Sequence, residues 1–266
     1  MLINAVREIW ASKSVVLNGW LSIANSFSAE LMAHAGWNSI CIDLQHGIID
    51  YGGSIPMLQA ISTTKVTPFA RVPWNDPPSI MKMLDAGAQG IICPMISTAE
   101  EAERFVASCT YPPRGFRSHG PTRAVVYAGS DYPIEADGSI VKLAMIETEG
   151  GVANLDAILA VPGLDGVYIG PADLGRALGR KAMLDQTDPV VVSAIEDIVR
   201  RTRAAGLHAG IHTGSASYAR KMVSEGCDFV TILSDARLLA TAAEKMVKEF
   251  SASADEEIAP TAPQVY

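Results

Sequence analysis

The sequence predicts a (β/α)8 barrel, and three observations carry the prediction. Eight short apolar runs alternate with segments of helical period. Together they occupy about 250 residues, the size at which such barrels close. No GxGxxG turn of the kind that marks an open dinucleotide-binding sheet follows any run.

Leu2–Trp10 reads as a leading helix and Val15–Ile23 as the first strand. Ser26–Ala35 is helical, capped by Ser26 or Ser28 and stopped by Gly36. Ser39–Leu44 is a continuous apolar run that feeds into Gln45-His46-Gly47, the pattern of a buried parallel strand. After a helix at Ile55–Ile61, the third strand Val66–Val72 delivers Arg71 before Pro73 breaks the ladder. Pro77–Ala86 carries Pro in its first turn and Gly87 at its stop. Gly90–Met95 is the fourth strand, and Thr98–Cys109, opened by Ser97 or Thr98 with acids in its first turns, is the next helix. From Tyr111 to Ser139 the period lapses into Pro, Gly, Arg and Tyr, and an excursion this long in a compact domain is usually functional. Lys142–Ile146, a helix Val152–Val161 and Gly166–Ile169 restore the rhythm as strand, helix, strand. Pro189–Ala205, Leu207–Ile211, Ala216–Glu225, Phe229–Leu233 and Asp235–Phe250 complete it.

With 48% hydrophobic and 19% charged residues, the 266-residue chain can bury a large core, read as one domain over residues 1–250 with a flexible tail at 251–266. A net charge of −8 with no basic patch argues against nucleic acid and anionic membranes as partners. No apolar run approaches the roughly 20 residues of a membrane span. The first residues hold Arg7 and Glu8 instead of a leader's apolar core, so a cytoplasmic location is expected. Cys41, Cys93, Cys109 and Cys227 form no CxxC pair and read as structural thiols.

In a barrel, catalytic groups gather where strands end and helices begin. Asp43, Gln45 and His46 follow the second strand, Arg71 ends the third, Glu147 ends the fifth and Asp173 follows the sixth. Trp20 and His212 lie near the ends of the first and seventh, whereas Lys142 starts the fifth and belongs at the opposite face. Glu147 and Asp173 flank one strand–helix–strand unit, which makes parallel neighbours and brings both carboxylates to one edge. An oxygen-only pair with room for water suits Mg²⁺, Mn²⁺ or a similar cation better than zinc. Each acid has a plainer reading too: Glu147 as a solvated acid at a helix start, Asp173 as an N-cap. Arg71 reads equally as a structural ion pair or an anion clamp. His46 reads as a loop histidine or as a base whose ring Asp43 and Gln45 orient. His34, His119 and His208 have no comparable surroundings. In Gly170-Pro171-Ala172-Asp173, the turn into a helix exposes the N–H groups of Ala172 and Asp173 to a carboxylate or phosphate.

Seven stretches, in order, then carry a resemblance: Gly19-Trp20, Asp43-Leu44-Gln45-His46-Gly47, Arg71-Val72-Pro73-Trp74, Leu84-Asp85-Ala86-Gly87-Ala88, Tyr111-Pro112-Pro113-Arg114-Gly115, Ile146-Glu147-Thr148 and Asp165 to Leu174. The chain from Val15 to about Phe250 resembles the metal-dependent pyruvate aldolases typified by 4-hydroxy-2-oxoheptanedioate aldolase and 2-dehydro-3-deoxyglucarate aldolase. The resemblance implies reversible cleavage of a 4-hydroxy-2-oxo acid to pyruvate and an aldehyde. It implies that Glu147 and Asp173 bind Mg²⁺, Mn²⁺ or Co²⁺, which chelates pyruvate, and that Arg71 stabilises the enolate oxygen. His46 would move protons through a metal-bound water, with Asp85 of a neighbouring subunit as its partner. Trp20, Gly170, Ala172, Asp173 and His212 would surround the substrate, and the assembly would be a hexamer, a dimer of trimers, with exchanged terminal helices. The chain departs from the family pattern at Glu149-Gly150-Gly151 and at His212-Thr213, where an apolar aldehyde-side wall is expected.

Three other readings compete. A Schiff-base aldolase needs a lysine on the active rim, and Lys142 is at the wrong end. A lyase acting on acyl-CoA esters would want a basic surface for the CoA phosphates, and none is evident. A silent barrel that only binds an oxo acid is disfavoured by the presence of Glu147, Asp173, Arg71 and His46 together.

Overall fold

The strands read as unbroken apolar runs because both of their faces are covered, one by barrel side chains and one by helices; β2 (Ser39–Asp43), β4 (Gly90–Cys93), β5 (Val141–Ile146) and β6 (Gly166–Ile169) are buried at every position. The computed structural model describes residues 4–252. In chain order the remaining strands are β1 (Val16–Leu21), β3 (Thr67–Arg71), β7 (His208–Thr213) and β8 (Phe229–Ile232). The helices are α1 (Ala5–Ala11), α2 (Ser26–Ala33), α3 (Tyr51–Ile61), α4 (Pro77–Asp85), α5 (Ala99–Cys109), α6 (Ala124–Ala128), α7 (Tyr132–Ser139), α8 (Glu149–Ala153), α9 (Leu155–Leu159), α10 (Pro171–Ala177), α11 (Pro189–Ala204), α12 (Ala216–Ser224) and α13 (Asp235–Ala252). The strands pair in parallel and in sequence order, and β8 closes on β1 through Val16↔Phe229. This is the expected (β/α)8 barrel.

Two apolar clusters hold it. The larger lies between sheet and helices and includes Ile40, Ile42, Ile91, Ile169 and Ile211. The smaller fills the barrel with Val16, Cys41, Phe69, Ile92, Leu143, Tyr168 and Phe229. α1 plugs the N-terminal mouth: Val6 and Trp10 join the inner cluster, and Trp10 stacks on His208 at 3.7 Å while its Nε1–H donates to the Asp228 carbonyl at 3.1 Å. Lys142, at this end, donates to the Asp137 and Ile140 carbonyls, at the face opposite the rim as expected.

The structure differs from the sequence reading where local signals compete. α3 starts at Tyr51, four residues before the expected Ile55, because Asp50 caps the Gly53 N–H, and Pro56 lies inside the helix. α2 is capped by Asn25, not by Ser26 or Ser28. The helix expected at Val152–Val161 is two short ones divided at Asn154. Residues 111–123 stay irregular and the rest of the excursion carries α6 and α7, with Arg114 paired to Asp137, Arg117 to Asp85, and Arg123 donating to the Ala86 carbonyl. α13 runs on through residue 252; the rest of the proposed tail lies outside the described residues. All four cysteines are buried and free, and no described helix is long and apolar enough to cross a membrane.

Candidate active site

The register places Asp43, the last residue of β2, directly beside Arg71, the last of β3. Their side chains form a buried two-point pair, Nε to Oδ1 at 2.9 Å and Nη2 to Oδ2 at 2.6 Å. Burial works to raise the Asp43 carboxyl, but the hydrogen bonds and charge of Arg71 outweigh it and hold the group below its usual range. Trp20 Nε1–H adds a third bond to Asp43 Oδ2 at 3.1 Å, and its ring lies 4.9 Å beneath the Arg71 guanidinium carbon. Nη1 of Arg71 has no partner among the described residues, so the fork is fixed on one side and free on the other. The backbone N–H groups of Gln45 and His46 both donate to Asp43 Oδ1 at 3.1 Å. Asp43 thus positions the His46 backbone, not its ring as the sequence had suggested, because its other acceptor sites are taken by Arg71 and Trp20. The Gln45 Oε1 is buried without a partner, and the His46 side chain is exposed at the mouth.

Glu147, one residue past β5, is 2% exposed, which excludes the solvated reading. Its Oε1 accepts the Met95 N–H at 2.9 Å. Burial, with the charge of Asp173 adding to it, pushes the carboxyl up to about 7. Gly170 makes the close approach possible, since a Cβ there would sit 2.4 Å from Glu147 Oε2 and 2.6 Å from the Met145 methyl. Asp173 is exposed in the first turn of α10, whose cap is Gly170, so the N-cap reading is also excluded. Met95 and Leu233 hold left-handed backbone, φ 60° and 53°, just past β4 and β8. Such strain gathers where a site dictates the backbone.

A cavity of about 220 Å³ at the C-terminal mouth is walled by Trp20, Asp43, His46, Arg71, Gly170 to Asp173, His212 and Arg237, with Glu147 buried behind Gly170 and not on its wall. A larger hollow, about 500 Å³, lies at the other end between α1 and α6 and contains no pair of acids. His212 meets Trp20 edge-on at 4.9 Å, and burial, aided by the Arg71 charge, pushes its imidazole down to about 3. Asp85 is absent from this group. It ends α4, which runs back along the outside of β3, so in its own chain it lies at the far end of the barrel from His46, bonded to the fully buried Arg117.

A family model for HpcH/HpaI aldolases and citrate lyases matches residues 17–242. A hydroxypyruvate/pyruvate aldolase of Rhizorhabdus wittichii is 44% identical over 246 residues, 92% of this chain and 98% of that one. The chain belongs to the HpcH/HpaI aldolase family. It is an aldolase, and its relatives extend to a 4-hydroxy-2-oxo-heptane-1,7-dioate aldolase of Salmonella arizonae, 37% identical over 94% of this chain and 95% of that one. A crystal structure of a family protein from Burkholderia cenocepacia J2315 superposes with a TM-score of 0.88 at 28% identity, covering 94% of this chain and all of that one.

Two features of this aldolase's rim escaped the sequence reading. Met95 follows a strand as any apolar residue does; its left-handed backbone and N–H toward Glu147 exist only in three dimensions. Arg237 looked like one more helical cation, and only the closure of β8 on β1 brings it to the cavity.

Proposed function

We propose that this aldolase cleaves 4-hydroxy-2-oxo acids reversibly to pyruvate and an aldehyde with a divalent cation held by Glu147 and Asp173. The observation that carries the reading is the Glu147 carboxylate, buried, raised to about 7 by burial and the nearby Asp173, and without an ion-pair partner among the described residues. Two carboxylates, Glu147 buried and Asp173 on the open cavity, suit a hard cation that keeps most of its positions for water and substrate oxygens. No group of three or more His, Cys, Asp and Glu able to hold a metal occurs among the described residues, which fits such a sparse oxygen site and not a closed zinc site. The cation, Mg²⁺, Mn²⁺ or Co²⁺, would supply Lewis-acid stabilisation to the oxo acid.

The chain's own groups supply the rest. Arg71, with Nε and Nη2 committed to Asp43, directs its free Nη1 to the oxygen on which enolate charge develops. The N–H groups of Ala172 and Asp173 receive the substrate carboxylate where Gly170 opens α10. His46 at the mouth takes the proton of the 4-hydroxyl as the carbon–carbon bond breaks and gives it to C3 of the enolate to release pyruvate, the condensation running the same transfers backwards. Trp20 and His212 wall the aldehyde side, and Arg237 adds a cation there. Asp85 serves His46 of a neighbouring subunit in a hexamer, a dimer of trimers. Support for assembly comes from α13, whose Leu239, Met246, Val247 and Phe250 are exposed and whose exchange between subunits would cover them. The working unit is one barrel domain over 1–250, placed in the cytoplasm on its acidic composition and free buried thiols.

Pyruvate release from 4-hydroxy-2-oxo acids decides the reading. It should vanish in EDTA and return with Mg²⁺ or Mn²⁺; full turnover by metal-free protein would overturn it.

A further inference from the structure

His212 stands where an apolar wall was expected, and its hydrogen bonds fix which ring nitrogen carries the proton. Tyr168 is fully buried, and burial keeps its phenol protonated. Its single proton goes to Thr231 Oγ1 at 2.8 Å. Thr231 Oγ1 also receives the Asn18 Nδ2–H at 2.9 Å, while Ser39 Oγ donates to Asn18 Oδ1 at 2.7 Å and so sets the direction of that amide. The proton of Tyr168 is thereby spent inside the barrel. Its oxygen, 3.2 Å from His212 Nδ1, is left to accept, and Nδ1 must carry the ring's hydrogen. Burial, reinforced by the Arg71 charge, keeps the ring uncharged at neutral pH. Nε2 is then a bare lone pair, and it has no partner among the described residues. With Nδ1 tied to buried Tyr168, the edge of His212 that lines the cavity is the edge bearing Nε2.

We infer that His212 Nε2 accepts a hydrogen bond from a hydroxyl of the substrate, so that the site selects hydroxylated partners over their plain counterparts. The inference rests on the aldolase reading and names the substrate class that its pocket takes. A neutral acceptor rewards an O–H donor and repels a carboxylate, and an unmatched acceptor in a closed site costs binding when the hydroxyl is missing. The hydroxyl has two sources of the same chemistry: C3 of a 3-hydroxy-2-oxo acid donor, or C2 of a 2-hydroxyaldehyde acceptor.

The experiment compares three condensations in the cation-loaded protein: pyruvate with propanal, pyruvate with glycolaldehyde, and hydroxypyruvate with propanal. Wild type should prefer one or both hydroxylated pairs. In His212→Asn, whose amide reaches Tyr168 but not the Nε2 position, the preference in kcat/KM should fall about tenfold. In His212→Gln, whose amide occupies the Nε2 position, most of it should remain. Loss in the glycolaldehyde arm alone assigns the acceptor's hydroxyl, and loss in the hydroxypyruvate arm alone assigns the donor's. An unchanged preference in His212→Asn overturns the inference. Nitrogen-15 spectra of the imidazole, assigned by difference with His212→Asn, give a readout independent of turnover: Nδ1 should be protonated and Nε2 bare near neutral pH, and a proton on Nε2 overturns the inference. If no pair condenses in wild type, the aldolase reading fails while the spectra still judge the state of the ring.

Discussion

Arg71 and Asp43 form a buried ion pair at the rim, and each depends on the other to be tolerated there. Removing one member leaves an uncompensated charge in a dry site, a loss of about 3–5 kcal/mol in comparable pairs. Asp43→Ala should therefore lower both the unfolding midpoint and the rate, because it unfastens the guanidinium from Nε and Nη2. Arg71→Ala should lower kcat by about a hundredfold or more, as for loss of an oxyanion donor, while leaving the Mn²⁺ affinity nearly intact, since its partner is the developing enolate. Calorimetric metal titration beside steady-state rates checks this, and an unchanged kcat would refute the role. His212 carries a pH signature of a different kind. Its imidazole is held at about 3 against an ordinary 6.5, so between those values the unfolded chain binds a proton that the native chain does not. Stability must then rise with pH across that window and be lost as pH falls below about 6.5, with a slope of at most about 1.4 kcal/mol per pH unit. Urea midpoints at pH 5 and pH 7 should differ less in His212→Asn than in wild type; equal differences would mean the ring is protonated in the native state.

At the scale of elements, legibility followed from whether one local signal stood alone. α5 shows the favourable case: Thr98 accepts the Glu101 N–H while Glu101 caps the Thr98 N–H in return, a reciprocal box written within four residues. Thr98→Ala should cost about 1 kcal/mol of stability, read as a shift in the thermal midpoint without change in rate; no shift would mean that packing of α5 on its neighbours makes the cap redundant. The eight strands were equally plain, since burial on both faces leaves no alternation to misread. α3 was not, because Pro56 marks a first turn in most helices and here sits past it. The division of α8 from α9 was hidden for a related reason: Asn154 donates to the Ser97 carbonyl across the rim, a contact between elements that no periodicity records. The acids and bases proposed for the site could be picked from the sequence because barrels gather such groups at strand ends. What remained invisible was pairing: that Asp43 would hold Arg71 instead of the His46 ring, that Gly170 yields room for Glu147, and that Tyr168 sets the tautomer of His212.

For the whole molecule, the decisive fact is where the fold puts Asp85. α4 is nine residues long and returns the chain from the rim to the opposite face, a displacement of about 13 Å along its axis. His46 and Asp85 of one chain therefore cannot share a proton, and Asp85 instead meets the buried Arg117, which lies 4.5 Å over the Tyr111 ring and 5.5 Å over that of Tyr132. Among the described residues Arg117 Nε and Nη1 are buried with no partner of their own, and the guanidinium's one ion pair is with Asp85. A carboxylate anchored at one oxygen and 23% exposed is well placed to reach outward from its own barrel. If it completes a neighbour's site, His46→Ala and Asp85→Ala should each be nearly inactive alone, yet regain activity when their subunits are mixed by reversible dissociation. Each intact site then draws His46 from one variant and Asp85 from the other. Random pairing at equal concentrations gives about a quarter of the wild-type rate. Recovery of that size would establish that the assembly, and not the single barrel, is the catalytic unit. An active Asp85→Ala, or a mixture no better than its parents, would confine Asp85 to bracing Arg117 and return the proton chemistry to His46 alone.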